Sequence, residues 1–140
     1  MKNTIKLEIP SINSICPVAL DTVKSLLKQN DVTAEDTSDV CTAVKEALDN
    51  CIQHAYADEW IKPIFVSLSL EDRNFTATIR DTGIGIQNIE QARTPLFSTL
   101  ADASGMGFTI MESFMDSVKV RSTPEKGTTV TLKKELRIKK

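Results

Sequence analysis

A chain of 140 residues and 15.5 kDa has room for one domain with its own core and for no second catalytic unit. Its 41% hydrophobic and 26% charged residues exclude disordered and fibrous classes, and a formal net charge of -2 leaves no overall field to attract nucleic acid. No apolar run approaches the length of a membrane span and the N-terminus lacks a charged-then-apolar leader, so a cytoplasmic protein is expected.

Thr4 to Ile9 alternates Ile5, Leu7 and Ile9 against polar residues, the period of a half-buried strand, and Pro10 stops it. Ser14 to Gln29 spaces Val18, Leu20, Val23, Leu26 and Leu27 as a helix does, with Pro17 in the first turn where a missing N–H is harmless. Thr33-Ala34-Glu35-Asp36 is a weak capping box, and an apolar stripe from Val40 through Ala55 predicts the longest helix, running to about Tyr56. Residues 62–80 read as an antiparallel hairpin turning at Asp72-Arg73-Asn74. Thr82 to Gly107 holds four glycines in a connection longer than compact domains ordinarily use, which marks it as functional. A short helix over Phe108 to Asp116 and a last hairpin, Val118–Val120 with Thr129–Lys133, follow, and the basic C-terminus (Lys133-Lys134, Lys139-Lys140) reads as a solvated end. This order predicts one α+β domain spanning residues 1–140: a two-layer sandwich whose mixed, mostly antiparallel sheet is covered on one face by helices.

Cys16, Cys41 and Cys51 are odd in number and lack metal-ligand spacing, so reduced, buried thiols are expected. His54 is the only histidine, which removes a Cys-His zinc site.

Glu46, Asn50 and His54 recur at i, i+4 and i+8, forming one row of the long helix away from its apolar stripe. Such a row is also what a plain solvated face looks like. Asp81-Thr82-Gly83-Ile84-Gly85-Ile86 stands at a strand end, where glycines permit close ligand approach and a carboxylate can accept from an exocyclic amine such as that of adenine. Gly105-Met106-Gly107 precedes a helix whose N-terminal amides and dipole suit phosphate, although a simple glycine-rich helix start has the same residues.

Together with Lys126-Gly127-Thr128, these ordered landmarks resemble, over nearly the whole chain, the ATPase superfamily shared by gyrase, the heat-shock chaperones, histidine kinases and mismatch-repair proteins (the GHKL class). Glu46-Ala47-Leu48-Asp49-Asn50-x3-His54-Ala55-Tyr56 is similar to the helix motif of the serine kinases that act as anti-sigma factors. Arg80 to Ile86, Ala92 to Thr99 and Ser104 to Glu112 resemble the sporulation branch of those kinases.

The resemblance implies a histidine-kinase-like ATPase fold that binds ATP or ADP with Mg2+. Asn50 would be the magnesium ligand and Glu46 the general base, while Asp81, supported by Thr128, would read adenine. Gly83, Gly85, Ser104, Gly105, Met106, Gly107 and Phe108 would complete the nucleotide contacts, beneath a lid at about 87–104. The implied activity is to bind and inhibit a sporulation sigma factor of the sigma-F type in the ATP-bound state, and to phosphorylate a serine of its anti-anti-sigma antagonist. A homodimer formed through the first strand and helix is implied, with no direct nucleic-acid or membrane contact. A general-stress anti-sigma kinase and a non-catalytic, ATP-dependent sigma-binding module are the alternatives.

Overall fold

The computed structural model describes residues 2–55, 61–83, 107–123 and 126–139. Period-two alternation makes Lys2–Pro10 a strand, β1, and a single 3-10 turn at Asn13–Ile15 leads into helix α1, Cys16–Gln29, with Pro17 in its first turn. Helix α2, Ala34–Asn50, starts where Thr33 Oγ1 accepts from the Asp36 backbone N–H at 3.3 Å. The expected hairpin forms as β2, Pro63–Glu71, and β3, Asn74–Arg80, around Asp72, whose φ of 55° is a left-handed conformation that Asp tolerates. Helix α3, Gly107–Phe114, and strands β4, Ser117–Thr123, and β5, Gly127–Glu135, complete the described elements.

The five strands form one sheet in the order β1-β2-β3-β5-β4, with every described pairing antiparallel. Register puts Ile5, Leu68, Ala77, Leu132 and Val118 in one cross-strand row, and Leu7, Val66, Ile79, Val130 and Val120 in the next. These rows face the helices. Val23 and Leu27 of α1, Val40, Val44 and Leu48 of α2, and Met111 of α3 close the core over them. The opposite face alternates polar residues, as an antiparallel sheet open to water on one side does. No helix among the described residues is long and apolar enough to cross a membrane.

Two features depart from the sequence reading. The long helix keeps α-winding only to Asn50 and then widens into a π-helical turn, Cys51–Ala55; Tyr56 lies outside the described residues. Apolar periodicity cannot distinguish one widened turn from continued α-helix, and such turns recur at functional sites.

The C-terminal segment is also anchored to the fold, although Lys133 and Lys139 on it are exposed. Leu136 is buried, Val32 and Ile138 form a β-bridge, and the Lys139 N–H donates to the Asp31 carbonyl at 2.7 Å. Asp36, buried in the first turn of α2, anchors this segment. Its Oδ2 accepts from the Arg137 backbone N–H at 2.7 Å and its Oδ1 from Arg137 Nη2 at 2.7 Å. The reciprocal bond of a capping box, from Asp36 back to the Thr33 N–H, is replaced, because that N–H donates to the Arg137 carbonyl at 2.9 Å. The Arg137 hydrogen bonds hold the Asp36 carboxyl below its ordinary value of 3.8.

A group with a depressed folded pKa contributes stability that is present above its unfolded pKa and lost as pH falls through the folded value. Asp36→Ala, which leaves the Arg137 N–H without its acceptor, should therefore cost about 2 kcal/mol at neutral pH, on the order of 5 °C in melting temperature. Below about pH 3.8 the gap between variant and wild type should narrow, and a gap constant from pH 7 to pH 3 in thermal melts would contradict the assignment.

Candidate active site

The site starts where β3 ends. Asp81 extends the ladder by one step, its N–H donating to the Thr128 carbonyl at 2.9 Å, and its side chain turns inward to only 6% exposure. Its Oδ1 accepts two backbone donors, the N–H of Gly83 at 2.9 Å and that of Thr128 at 3.1 Å. Among the described residues, its Oδ2 receives only the Cys51 thiol, Sγ to oxygen 3.6 Å. One carboxylate oxygen is thus committed to the fold, while the other keeps capacity for a further donor. Burial pushes the Asp81 pKa up, and the backbone N–H bonds oppose that rise.

Gly127 makes this closeness possible. Its φ of 114° is one that L side chains avoid, and a Cβ there would lie 2.8 Å from the Thr82 Cα. The β4–β5 turn can therefore run directly against the Asp81-Thr82 backbone. Thr128, also buried, shares a 2.9 Å hydrogen bond between its hydroxyl and that of Ser122 on the neighbouring strand.

The second wall is α2. Glu46 and Asn50, both half-buried, lie one turn apart on it, and the Asn50 amide faces the first residue of α3. A Cβ on Gly107 would stand 3.2 Å from Asn50 Oδ1, so glycine lets the N-terminus of α3 come up against that amide. Asn50 and Cys51 are consecutive, which ties the Asn50–α3 junction directly to Asp81. On the adjoining surface Lys45 and Asp49 form a 2.9 Å pair.

The chemistry of this donor set suits a nucleotide with its magnesium ion. A buried carboxylate oxygen with acceptor capacity matches an exocyclic amine. The Asn50 amide oxygen is a hard ligand of the kind Mg2+ takes, and the amide-rich, positive end of α3 lies beside it. Among the described residues no group of three or more His, Cys, Asp and Glu could hold a metal ion.

Of the residues expected in the site, the structure brings Asp81, Gly83 and Thr128 together on one side and Asn50 and Gly107 together on the other, with Glu46 one turn from Asn50. Phe108 is placed differently: its side chain belongs to the core, leaving only its backbone at the end of α3. Gly85, Ser104, Gly105, Met106 and the lid at 87–104 lie outside the described residues. His54 follows the change to π-winding, so the α-helical row predicted for it ends at Asn50. The contacts of Cys51 with Asp81 and of Ser122 with Thr128 were not foreseen. The first spans 30 positions in the chain, and no local pattern announces it.

The profile of the histidine kinase-like ATPase domain matches residues 14–134. The fold is similar to that of the RsbU and RsbW domains of a Mycobacterium tuberculosis protein, with TM-score 0.70 and 18% identity over 96% of this chain and 32% of that one. This chain thus spans about a third of that solved chain, and the likeness is one of fold. The chain therefore carries a histidine kinase-like ATPase domain. Anti-sigma F factors of Bacillus velezensis and Bacillus subtilis are each 44% identical over 138 residues, 97% of this chain and 94% of theirs. The chain belongs to the anti-sigma F factor family.

The division of labour within the Asp81 carboxylate generates a test. Asp81→Asn can keep Oδ1 for the two backbone donors while placing an NH2 group where Oδ2 stood, so the melting temperature without nucleotide should hold or rise. ATP affinity by calorimetry should fall about 10- to 100-fold, the scale of a lost hydrogen bond to a charged acceptor. Early melting with normal ATP binding would make Asp81 a turn residue only.

Proposed function

We propose that the chain is an ATP-dependent protein serine kinase and sigma antagonist. In its ATP-bound state it binds and inhibits a sigma factor of the sigma-F type, and it phosphorylates a serine of the anti-anti-sigma protein. The observation that carries this reading is the placement of Glu46 one turn from Asn50 on α2, where α2 meets the N-terminus of α3. Binding alone requires an acceptor for adenine and a ligand for the ion; a half-buried carboxylate one turn further along suits a proton acceptor.

In this reading Asp81 Oδ2 accepts from the adenine amine and thereby favours adenine over guanine, whose corresponding position carries an acceptor. Asn50 Oδ1 would hold Mg2+, and the amides at the start of α3 would bind the phosphates. ATP with Mg2+ supplies the transferable phosphoryl group and neutralises its charge. Glu46 takes the proton from the incoming serine hydroxyl and orients that oxygen toward the phosphoryl group. Residues 87–104 act as a lid whose position depends on the nucleotide, so that partner affinity follows ATP or ADP. A homodimer built through β1 and α1 presents one composite surface to a single sigma factor. The family name carried by the relatives favours the sporulation sigma factor over a general-stress one.

Two variants test the roles separately. Asn50→Ala should lose the magnesium-dependent part of ATP affinity in calorimetry; equal affinities for variant and wild type with magnesium present would remove Asn50 from its role. Glu46→Gln preserves size and most of the hydrogen-bonding shape, so binding of ATP and of the sigma factor should stay near wild type. Radiolabel transfer to the antagonist should drop by about 10²–10⁴. Transfer at the wild-type rate would return Glu46 to a solvated face, and a simultaneous loss of sigma binding would make it an organiser of the pocket.

A further inference from the structure

We infer that Cys51 is a positioning residue for nucleotide selection, its buried thiol holding the Asp81 carboxylate so that Oδ2 presents an open lone pair to the amino group of adenine. The inference rests on the reading of Asp81 as the adenine acceptor. Rotation about the Cβ–Cγ bond carries both carboxylate oxygens, so it is opposed on the Oδ1 side by the N–H groups of Gly83 and Thr128 and on the Oδ2 side by the thiol. Among the described residues, Cys51 is the only donor reaching that oxygen, at 3.6 Å, and at 4% exposure it is itself packed in place. The thiol S–H is the donor of this pair and the carboxylate oxygen its acceptor.

The weakness of a thiol as donor suits this role. A lysine or arginine at position 51 would occupy Oδ2 fully and compete with a ligand. S–H fixes the plane of the carboxylate yet leaves the oxygen basic enough to take a stronger N–H donor. Cys51 is also the residue at which α2 gives way to the π-helical turn, directly after Asn50. Position 51 therefore connects the helix bearing the magnesium ligand to the base-reading carboxylate.

The test compares, on the full chain with magnesium, ATP and purine riboside triphosphate, which has the same phosphates and lacks the 6-amino group. Wild type should prefer ATP by about 10-fold or more. Cys51→Ala should weaken ATP about 3- to 10-fold and leave purine riboside triphosphate unchanged, narrowing the preference, and Cys51→Ser, which restores a donor, should recover it. A thiol that only fills space would instead weaken both nucleotides equally in the Ala variant and lower its melting temperature; that result overturns the inference. A preference untouched by Cys51→Ala, or a Ser variant that behaves like Ala, overturns it as well. If wild type shows no preference between the two nucleotides, the reading of Asp81 itself fails, a result distinguishable from every outcome at Cys51.

Discussion

The site depends on one carboxylate oxygen. Asp81 Oδ1 gathers the N–H of Gly83, just past the end of β3, and the N–H of Thr128, near the start of β5, and so fastens two strand ends that are 47 positions apart in the chain. That junction reinforces the β3–β5 ladder, in which the Asp81 N–H already donates to the Thr128 carbonyl. An ionised group is an expensive choice for such a place. Burial raises its pKa, so above that pKa the charged form costs the fold stability that the protonated form would not. The sign is opposite to that of Asp36, whose partner lowers its pKa and whose charge supports the fold at neutral pH. Two buried aspartates thus do different work: one closes the C-terminal segment over α2, and the other, among the described residues, keeps acceptor capacity at Oδ2 beyond the Cys51 thiol.

Much of the fold was legible because its signals are local. Alternation in Ile5-Leu7-Ile9 and in Ile64-Val66-Leu68-Leu70, the turn at Asp72, and the Thr33 cap each depend on neighbours in sequence, and each is found where it was expected. The C-terminal clamp was not legible, because its partners, Asp36 and Arg137, are 101 positions apart and a run of lysines resembles any solvated tail. The end of the α-helix at Asn50 was hidden for a different reason: Cys51, Ile52 and Ala55 continue an apolar stripe whichever way the turn is wound.

The candidate site was legible in its landmarks and not in its contacts. Asp81, Asn50 and the glycines stand out because a carboxylate at a strand end and glycines at a helix start are chemically unusual. Their mutual placement is a tertiary matter. Phe108, which the resemblance implied as a nucleotide contact, has its ring in the core. Gly107 itself is explained by what faces it: the Asn50 amide, 3.2 Å from where a Cβ would stand.

Helix α2 joins these features into one mechanical element. Its first turn is fixed through Asp36 to the C-terminal segment, its middle packs Val40, Val44 and Leu48 against the sheet, and its last turn carries Glu46 and Asn50 to the start of α3. A reacting group must be held closely to be useful, and side chains on a helix fixed at its beginning and packed along its length meet that demand better than side chains on a loop. Cys51 then transmits the same rigidity sideways to Asp81. The two halves of the site, one suited to phosphate and metal and one to the base, are therefore registered against each other through two consecutive residues of one helix end. A small displacement of α2 would move Asn50 relative to α3 and Cys51 relative to Asp81 together.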